Sequence, residues 1–248
     1  MHSSMPEGNL ALPVIRRLNA LRQLSEQGIA LLQRAIQDGL QRARAGEDIA
    51  NEGDPIDSVK IVLSGWLCRY KTLEDGRRQI VNFVLPGDSC DASVYLLSVM
   101  DHSIGTLTPV VYADIRRAAF EQLLASDRSL AEAMWCETMV NSAIQREWTV
   151  NIGRRNALER VAHLLCELYE RLLPVGMIDE DSCPFPVTQM DLGDATGLSV
   201  VHVNRTLQEL RASGLIMLRD RMLTIHDLKV LKDTALFSPD YLHTKRRG

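Results

Sequence analysis

Apolar residues along this chain change period several times, and each change predicts a different kind of element. Between residues 10 and 44 they recur at helical spacing, first Leu18, Leu21 and Leu24, then Ile29, Leu32, Ile36 and Leu40. Ser25 and Gly28 divide this stretch into two or more helices. From Gly46 to Ala118 the pattern becomes short β-rich runs at 59–63, 66–71, 79–85 and 110–115. Turn signals separate them at Gly46-Glu47, Gly53-Asp54, Ser64-Gly65, Asp75-Gly76 and Pro86-Gly87-Asp88. Short strands with regular turns predict an antiparallel β-barrel of jelly-roll type. Such a barrel either holds one small ligand or packs solid.

A long helical pattern follows over 126–153. Leu130, Met134, Glu137, Asn141, Ile144 and Trp148 are spaced 4, 3, 4, 3, 4, the spacing of an a/d seam with two polar positions. A second stripe, Ala133, Cys136, Val140 and Ala143, lies beside it. The two stripes allow the helix to pack on the barrel and on a partner helix at once. Leu130, Met134, Asn141, Ile144 and Trp148 are the expected dimer interface, with a buried helix in a monomer as the alternative. Gly153 reads as a hinge, and a further helix over 156–172 is stopped by Pro174.

The most specific pattern is TQMDLGDATGLSVVHVNRTLQELRASGLI at 188–216. Thr188 is a helix-start residue, and Asp191 three positions on nearly completes a capping box. Met190, Leu192 and Ala195 give a small apolar face. Gly197 supplies the backbone freedom that ends the helix, and Leu198 packs the corner. Ser199 then caps a second helix whose stripe is Val203, Leu207 and Leu210. Val200, Val201, Asn204 and Arg205 fall on the opposite face, which a helix-turn-helix turns toward the major groove of DNA. Two amphipathic helices of an ordinary helical domain share this spacing. After Gly214 a strand, a turn at Arg219-Asp220-Arg221 and the run 222–225 read as a hairpin wing. The expected fold class is therefore α+β: a β-barrel domain over 1–125, a dimerisation helix over 126–153, a winged helix-turn-helix over 154–235 and a mobile tail over 236–248.

Composition narrows the function. The chain has 248 residues, a hydrophobic fraction of 46%, a charged fraction of 24% and a net charge of −4, ordinary for a globular protein. Residues 1–150 hold 15 Lys and Arg against 19 Asp and Glu, whereas 151–248 hold 13 against 13. The acidity thus sits away from the helix-turn-helix, and weak phosphate contacts call for dimeric binding. The five cysteines, at 68, 90, 136, 166 and 183, are odd in number and show no C-x-x-C spacing. That argues against a disulfide framework, a zinc knuckle or an iron–sulfur cluster built in one loop. No run approaches the roughly 18 apolar residues of a membrane span, so a reducing cytoplasm is the expected compartment. The six histidines are scattered, only His102 falling within the barrel, so no cupin-type metal enzyme and no catalytic residues are expected. Cys183 lies in the run DSCPFPVT, read as a loop, where its thiol is either a redox brake or a plain loop cysteine.

The order of barrel, long helix and winged helix-turn-helix resembles the cyclic-AMP receptor protein and fumarate–nitrate regulator (Crp/Fnr) family of bacterial transcription factors. The resemblance runs from about residue 15 to 232. Its most specific parts are the 188–216 motif, LPGD at Leu85–Asp88 and GRRNALERVAHLL at 153–165. It implies a homodimer that binds a palindromic promoter site, contacts RNA polymerase and answers to an effector. The departures are informative. Cyclic-AMP binders of the family hold the nucleotide with a Gly-Glu pair and then an Arg-Ser pair; Asp91-Ala92 and His102-Ser103 stand here. These four residues form a candidate effector pocket, but an Asp and a His cradle a phosphate poorly beside a permanent, bidentate guanidinium. Gating by cyclic AMP is therefore not expected; a module whose DNA binding depends strictly on a small ligand is the competing reading. The family's oxygen sensors carry an N-terminal cysteine cluster, and residues 1–67 contain no cysteine. No iron–sulfur cluster is expected, nor haem at His102, a lone histidine in a turn being more often a surface residue. In the recognition helix Val201 replaces the family's cytosine-reading Glu and can touch only a thymine methyl. Arg205 matches the guanine-reading Arg, and Asn204 is placed for adenine. Ser199, His202 and one of Thr188 or Gln189 are expected at phosphates.

Overall fold

The computed structural model describes residues 10–90 and 96–244. Two helices, α1 (Leu12–Leu21) and α2 (Glu26–Asp38), open the chain, and Ser25 caps α2 by accepting from Gly28 N at 2.8 Å. Helical spacing predicted that this region runs to residue 44, but Leu40 begins a strand. Strand β1 (Leu40–Ala43) pairs antiparallel with a later strand, Leu40 opposite Ala113, and that ladder outweighs local helix propensity. The jelly roll continues with β2 (Asp48–Ala50), β3 (Ser58–Ser64), β4 (Leu67–Thr72), β5 (Arg78–Val84), β6 (Ser89–Cys90), β7 (Ser103–Thr106) and β8 (Val110–Arg116). Its two sheets have strand orders β1-β8-β3-β6 and β2-β7-β4-β5, antiparallel throughout. Between them Val62, Leu67, Val84, Cys90, Met100, Ile104 and Val110 form an apolar cluster.

Helix α3 (Arg117–Ser126) leads into the 27-residue α4 (Arg128–Arg154), capped by Asp127, whose Oδ1 accepts from Leu130 N at 2.9 Å. The first half of α4 buries Leu130, Ala133 and Met134 against α1, α2, α3 and the outer face of β3 and β8. The second half buries Val140, Ile144 and Trp148 against β4, β5 and the C-terminal region. The predicted dimer seam is thereby corrected. Leu130, Met134, Ile144 and Trp148 lie in the chain's own core and Asn141 is half-buried. The free stripe is instead Trp135, 61% exposed, Met139, 58% exposed, with Ser142 and Arg146 following at the same 3–4 spacing. Both stripes have seam periodicity, and only the position of the sheets decides which turns inward.

Gly153 is not a break: α4 continues to Arg154, and the chain turns at Arg155, whose φ of −76° and ψ of 144° are extended. Arg160 holds that turn, donating to Ile152 O at 2.8 Å and Arg155 O at 3.0 Å. Helix α5 (Ala157–Leu172) starts with a capping box in which Asn156 and Glu159 bond reciprocally at 2.9 and 3.0 Å. Next come β9 (Ser182–Pro184), α6 (Gln189–Thr196), α7 (Val200–Ala212), β10 (Ile216–Arg219), β11 (Met222–Ile225) and α8 (Leu228–Thr234). The tail read as mobile is packed over 237–242: Phe237 and Leu242 are buried, and a 3-10 turn (Pro239–Leu242) sends Tyr241 to donate to Glu167 Oε2 at 2.8 Å. Its basic end, 245–248, lies outside the described residues.

Candidate nucleic-acid interface

The helix-turn-helix is built from local chemistry. Thr188 Oγ1 accepts from Asp191 N at 3.1 Å, while Asp191 Oδ2 accepts from Thr188 N at 3.1 Å and Thr188 Oγ1 at 2.6 Å, so an aspartate completes the capping box. Such a cap stabilises a helix by about 1 kcal/mol. Gly197 ends α6 at φ 68° and ψ 26°, a left-handed conformation that an L side chain rarely adopts. Gly193 is needed for another reason: a Cβ there would meet Leu198 O at 2.7 Å, so the tight corner excludes any side chain. In the sequence, only its place four residues before Gly197 marks Gly193. Ser199 caps α7 by accepting from His202 N at 3.3 Å.

Val203, Thr206, Leu207 and Leu210 bury one face of α7. Val200, Val201, His202, Asn204 and Arg205 stand on the exposed face, and Val201 is 78% exposed. Asn204 Nδ2 donates to Gln189 Oε1 at 3.2 Å, joining the two helices across their outer surface. Thr188 is exposed, with its hydroxyl committed to the cap. The structure therefore gathers Gln189, Ser199, Val200, Val201, His202, Asn204 and Arg205 on one surface. The wing flanks it, and its turn places Asp220 and Arg221 at φ 53° and 61°. A third strand completes the wing, with Cys183 of β9 opposite Leu223. Cys183 is thus a buried strand residue rather than a loop thiol, and burial pushes its thiol up to about 12, far from a reactive thiolate.

The second predicted site is only partly described. Asp91 and Ala92 lie outside the described residues. Ser103 opens β7 and its hydroxyl accepts from Glu52 N at 3.0 Å. His102 is buried, not a surface residue, with Nδ1 2.7 Å from Asp101 Oδ1. Arg69 is buried beside the same interior and donates from Nη2 to Ser89 O at 3.0 Å.

A buried ionic junction, with no local mark in the sequence, joins the jelly roll to the reading head. Arg171 of α5 donates to Asn82 Oδ1 at 3.0 Å, Phe83 O at 2.8 Å and Asp88 Oδ2 at 2.7 Å. Arg17 reaches the other Asp88 oxygen at 3.4 Å. Burial alone would raise the Asp88 carboxyl, but the guanidinium groups of Arg171 and Arg17 hold it below the usual carboxylate range. Glu167 is buried next to Arg171, where burial drives its carboxyl up while Trp148 Nε1 donates to it at 3.0 Å. Asp88 belongs to the LPGD turn, so the motif was visible while its partner was not.

Residues 40–127 match the cyclic nucleotide-binding domain, and residues 159–234 match the Crp-like helix-turn-helix domain. The chain is 33% identical over 172 residues to the nitrogen fixation regulation protein FixK of Bradyrhizobium diazoefficiens, covering 69% of this chain and 71% of that protein. It is 26% identical over 181 residues to the transcriptional activator protein FnrL of Cereibacter sphaeroides, covering 72% of each. The structure of FixK2 from Bradyrhizobium japonicum superposes with a TM-score of 0.71 at 25% identity, over 80% of this chain and 98% of that one.

Proposed function

The chain belongs to the Crp/Fnr family of DNA-binding transcription regulators, and we propose that it acts as a homodimer on a palindromic promoter site without gating by cyclic AMP. The observation that carries this reading is the open face of α7, on which reading groups stand clear of the jelly roll while their neighbours are buried. Two such faces one DNA turn apart fit a two-fold site. The exposed Trp135 and Met139 on α4 supply the apolar stripe along which two copies would pair. Arg205 pairs with a guanine through O6 and N7, Asn204 with an adenine, and Val201 with a thymine methyl; Ser199, His202 and Gln189 approach phosphates. The half-site thus keeps a guanine and loses the cytosine read by a glutamate.

Independence from cyclic AMP is supported by Ala92 and His102 standing where the family's nucleotide binders carry Glu and Arg, and by His102 Nδ1 lying 2.7 Å from Asp101 Oδ1. The protein works as a cytoplasmic regulator that contacts RNA polymerase, performs no catalysis and carries neither iron–sulfur cluster nor haem. The scattered cysteines support the absence of a cluster, four of the five being buried in different elements. In-vitro selection of binding sites by the purified protein tests the reading. Wild type should enrich a palindrome with one guanine per half-site, and Arg205→Ala should lose preference at that position alone. Enrichment of no palindrome, or an unchanged preference in the variant, would remove the assignment. Enrichment only when a cyclic nucleotide is added would favour the ligand-dependent sensor.

A further inference from the structure

The jelly roll grips the reading head at a second place, through the first residue of β5. Arg78 donates from Nη2 to Asp191 Oδ1 at 2.6 Å and from Nε to Asp194 Oδ2 at 2.7 Å. The two carboxylates stand three residues apart on α6, so one planar guanidinium spans both. The contact is half-sheltered, with side-chain exposures of 30% for Arg78, 11% for Asp191 and 25% for Asp194. Arg78 also lies over the Tyr70 ring at 5.6 Å, and its neighbour Gln79 donates to Ala195 O at 3.4 Å. Short charge-assisted bonds in such a setting are stronger than exposed ion pairs.

What Asp191 does next gives this grip its consequence. The same carboxylate accepts from Thr188 N and Oγ1, fixing the start of α6. The following residue, Gln189, accepts from Asn204 on the recognition helix. A hydrogen-bonded path therefore runs from the β4–β5 hairpin through Asp191 and the start of α6 to the exposed face of α7. Arg171 fastens α5 to the jelly roll, whereas Arg78 fastens α6, the helix against which α7 packs.

We propose that Arg78 is a positioning residue for DNA recognition: it holds α6, and through it Gln189 and Asn204, in the orientation that reads the half-site. The proposal rests on the DNA-facing assignment of Gln189 and Asn204 made above. Arg78 acts through the two aspartates and not as a phosphate contact.

The test uses full-length wild type, Arg78→Ala, Arg78→Lys, Asp194→Ala and the Arg78→Ala/Asp194→Ala pair. Fluorescence anisotropy measures binding to the protein's own upstream DNA and to a scrambled duplex across a salt series. Sedimentation and thermal unfolding are run on the same samples. Each alanine variant should bind the upstream site roughly five- to thirtyfold more weakly. Scrambled binding and oligomeric state should not move. Arg78→Lys should recover part of the loss, and the double variant should be no weaker than the weaker single one. The slope of log affinity against log salt should stay constant, since a lost phosphate contact would lower it by about 0.9. Unchanged or tighter binding in Arg78→Ala, additive losses, an equal loss on scrambled DNA, or a slope reduced by that amount would each overturn the proposal. Should Arg78→Ala not fold, Arg78→Lys and Asp194→Ala carry the same comparison. Wild type that shows no preference for any palindrome would instead defeat the reading of α7 on which the proposal rests.

Discussion

The jelly roll and the reading head treat polar groups in opposite ways. In the jelly roll and its seams, polar groups are taken out of water and given partners: Asp88 between Arg17 and Arg171, and Glu137 accepting from Ser89 N and Oγ at 2.8 Å each. On the outer face of α7 the polar groups, and even two valines, are left in water. Buried pairs are costly to assemble and more costly to break, so they suit a joint that holds one arrangement. Exposed groups without deep partners suit a surface that exchanges water for another molecule. Buried charges in this chain orient the head, and the exposed groups of α7 are left to read.

The comparison breaks first at Arg171. Arg171→Leu should leave Asp88 with Arg17 alone and Glu167 without a cation, and cost about 3–5 kcal/mol of stability, measured as a lower denaturant midpoint. A loss below about 1 kcal/mol would mean that the junction is not a joint. His163 sharpens the same contrast through pH. Burial, with help from Arg155, drives its imidazole down to about 3, so it is neutral in the fold. The unfolded chain, with a histidine near pH 6.5, takes up a proton that the folded chain refuses. Stability is therefore full above about 6.5 and falls by about 1.4 kcal/mol per pH unit toward the folded value. At pH 4.5 the loss should approach about 2.7 kcal/mol, and His163→Phe should flatten it. Equal acid sensitivity in both proteins would show that other groups carry the transition.

The two faces of α4 offer a smaller but cleaner contrast. Met139→Asp, on the exposed stripe, should weaken self-association by about 2 kcal/mol or more without lowering the unfolding temperature of the monomer. Sedimentation equilibrium reads the first and calorimetry at low concentration the second. An unchanged dimer would place the contact elsewhere. On the reading surface, Arg205→Ala should cost roughly 1–3 kcal/mol of DNA affinity and nothing in stability, measured by titration against the upstream duplex.

The two regions also differ in how readily the chain discloses them. Thr188, Asp191, Gly197, Ser199 and the stripe Val203, Leu207 and Leu210 act within a few residues of one another, so their spacing carries the motif. The wing hairpin was legible for the same reason. Residues whose role depends on distant partners were not. Leu130 and Ile144 share seam periodicity with Trp135 and Met139, and the sheets alone choose between them. Cys183 sits in a strand because Leu223 pairs with it 40 residues later, and Tyr241 is ordered by Glu167, 74 residues earlier. No local pattern marks Arg78 or Arg171, because the carboxylates that pair with them are 83 or more residues away in the chain, except Glu167. Asp91 and Ala92, half of the expected effector site, lie outside the described residues.

The reading face is expected to be ready without a cyclic nucleotide. The most direct test is anisotropy titration of nucleotide-free, full-length protein against its own upstream DNA, repeated with cyclic AMP and with cyclic GMP. Tight, sequence-selective binding at the same affinity is expected in all three conditions. Binding that appears only when a nucleotide is added would contradict it, and would return Asp91, Ala92, His102 and Ser103 to the centre of a ligand-gated switch.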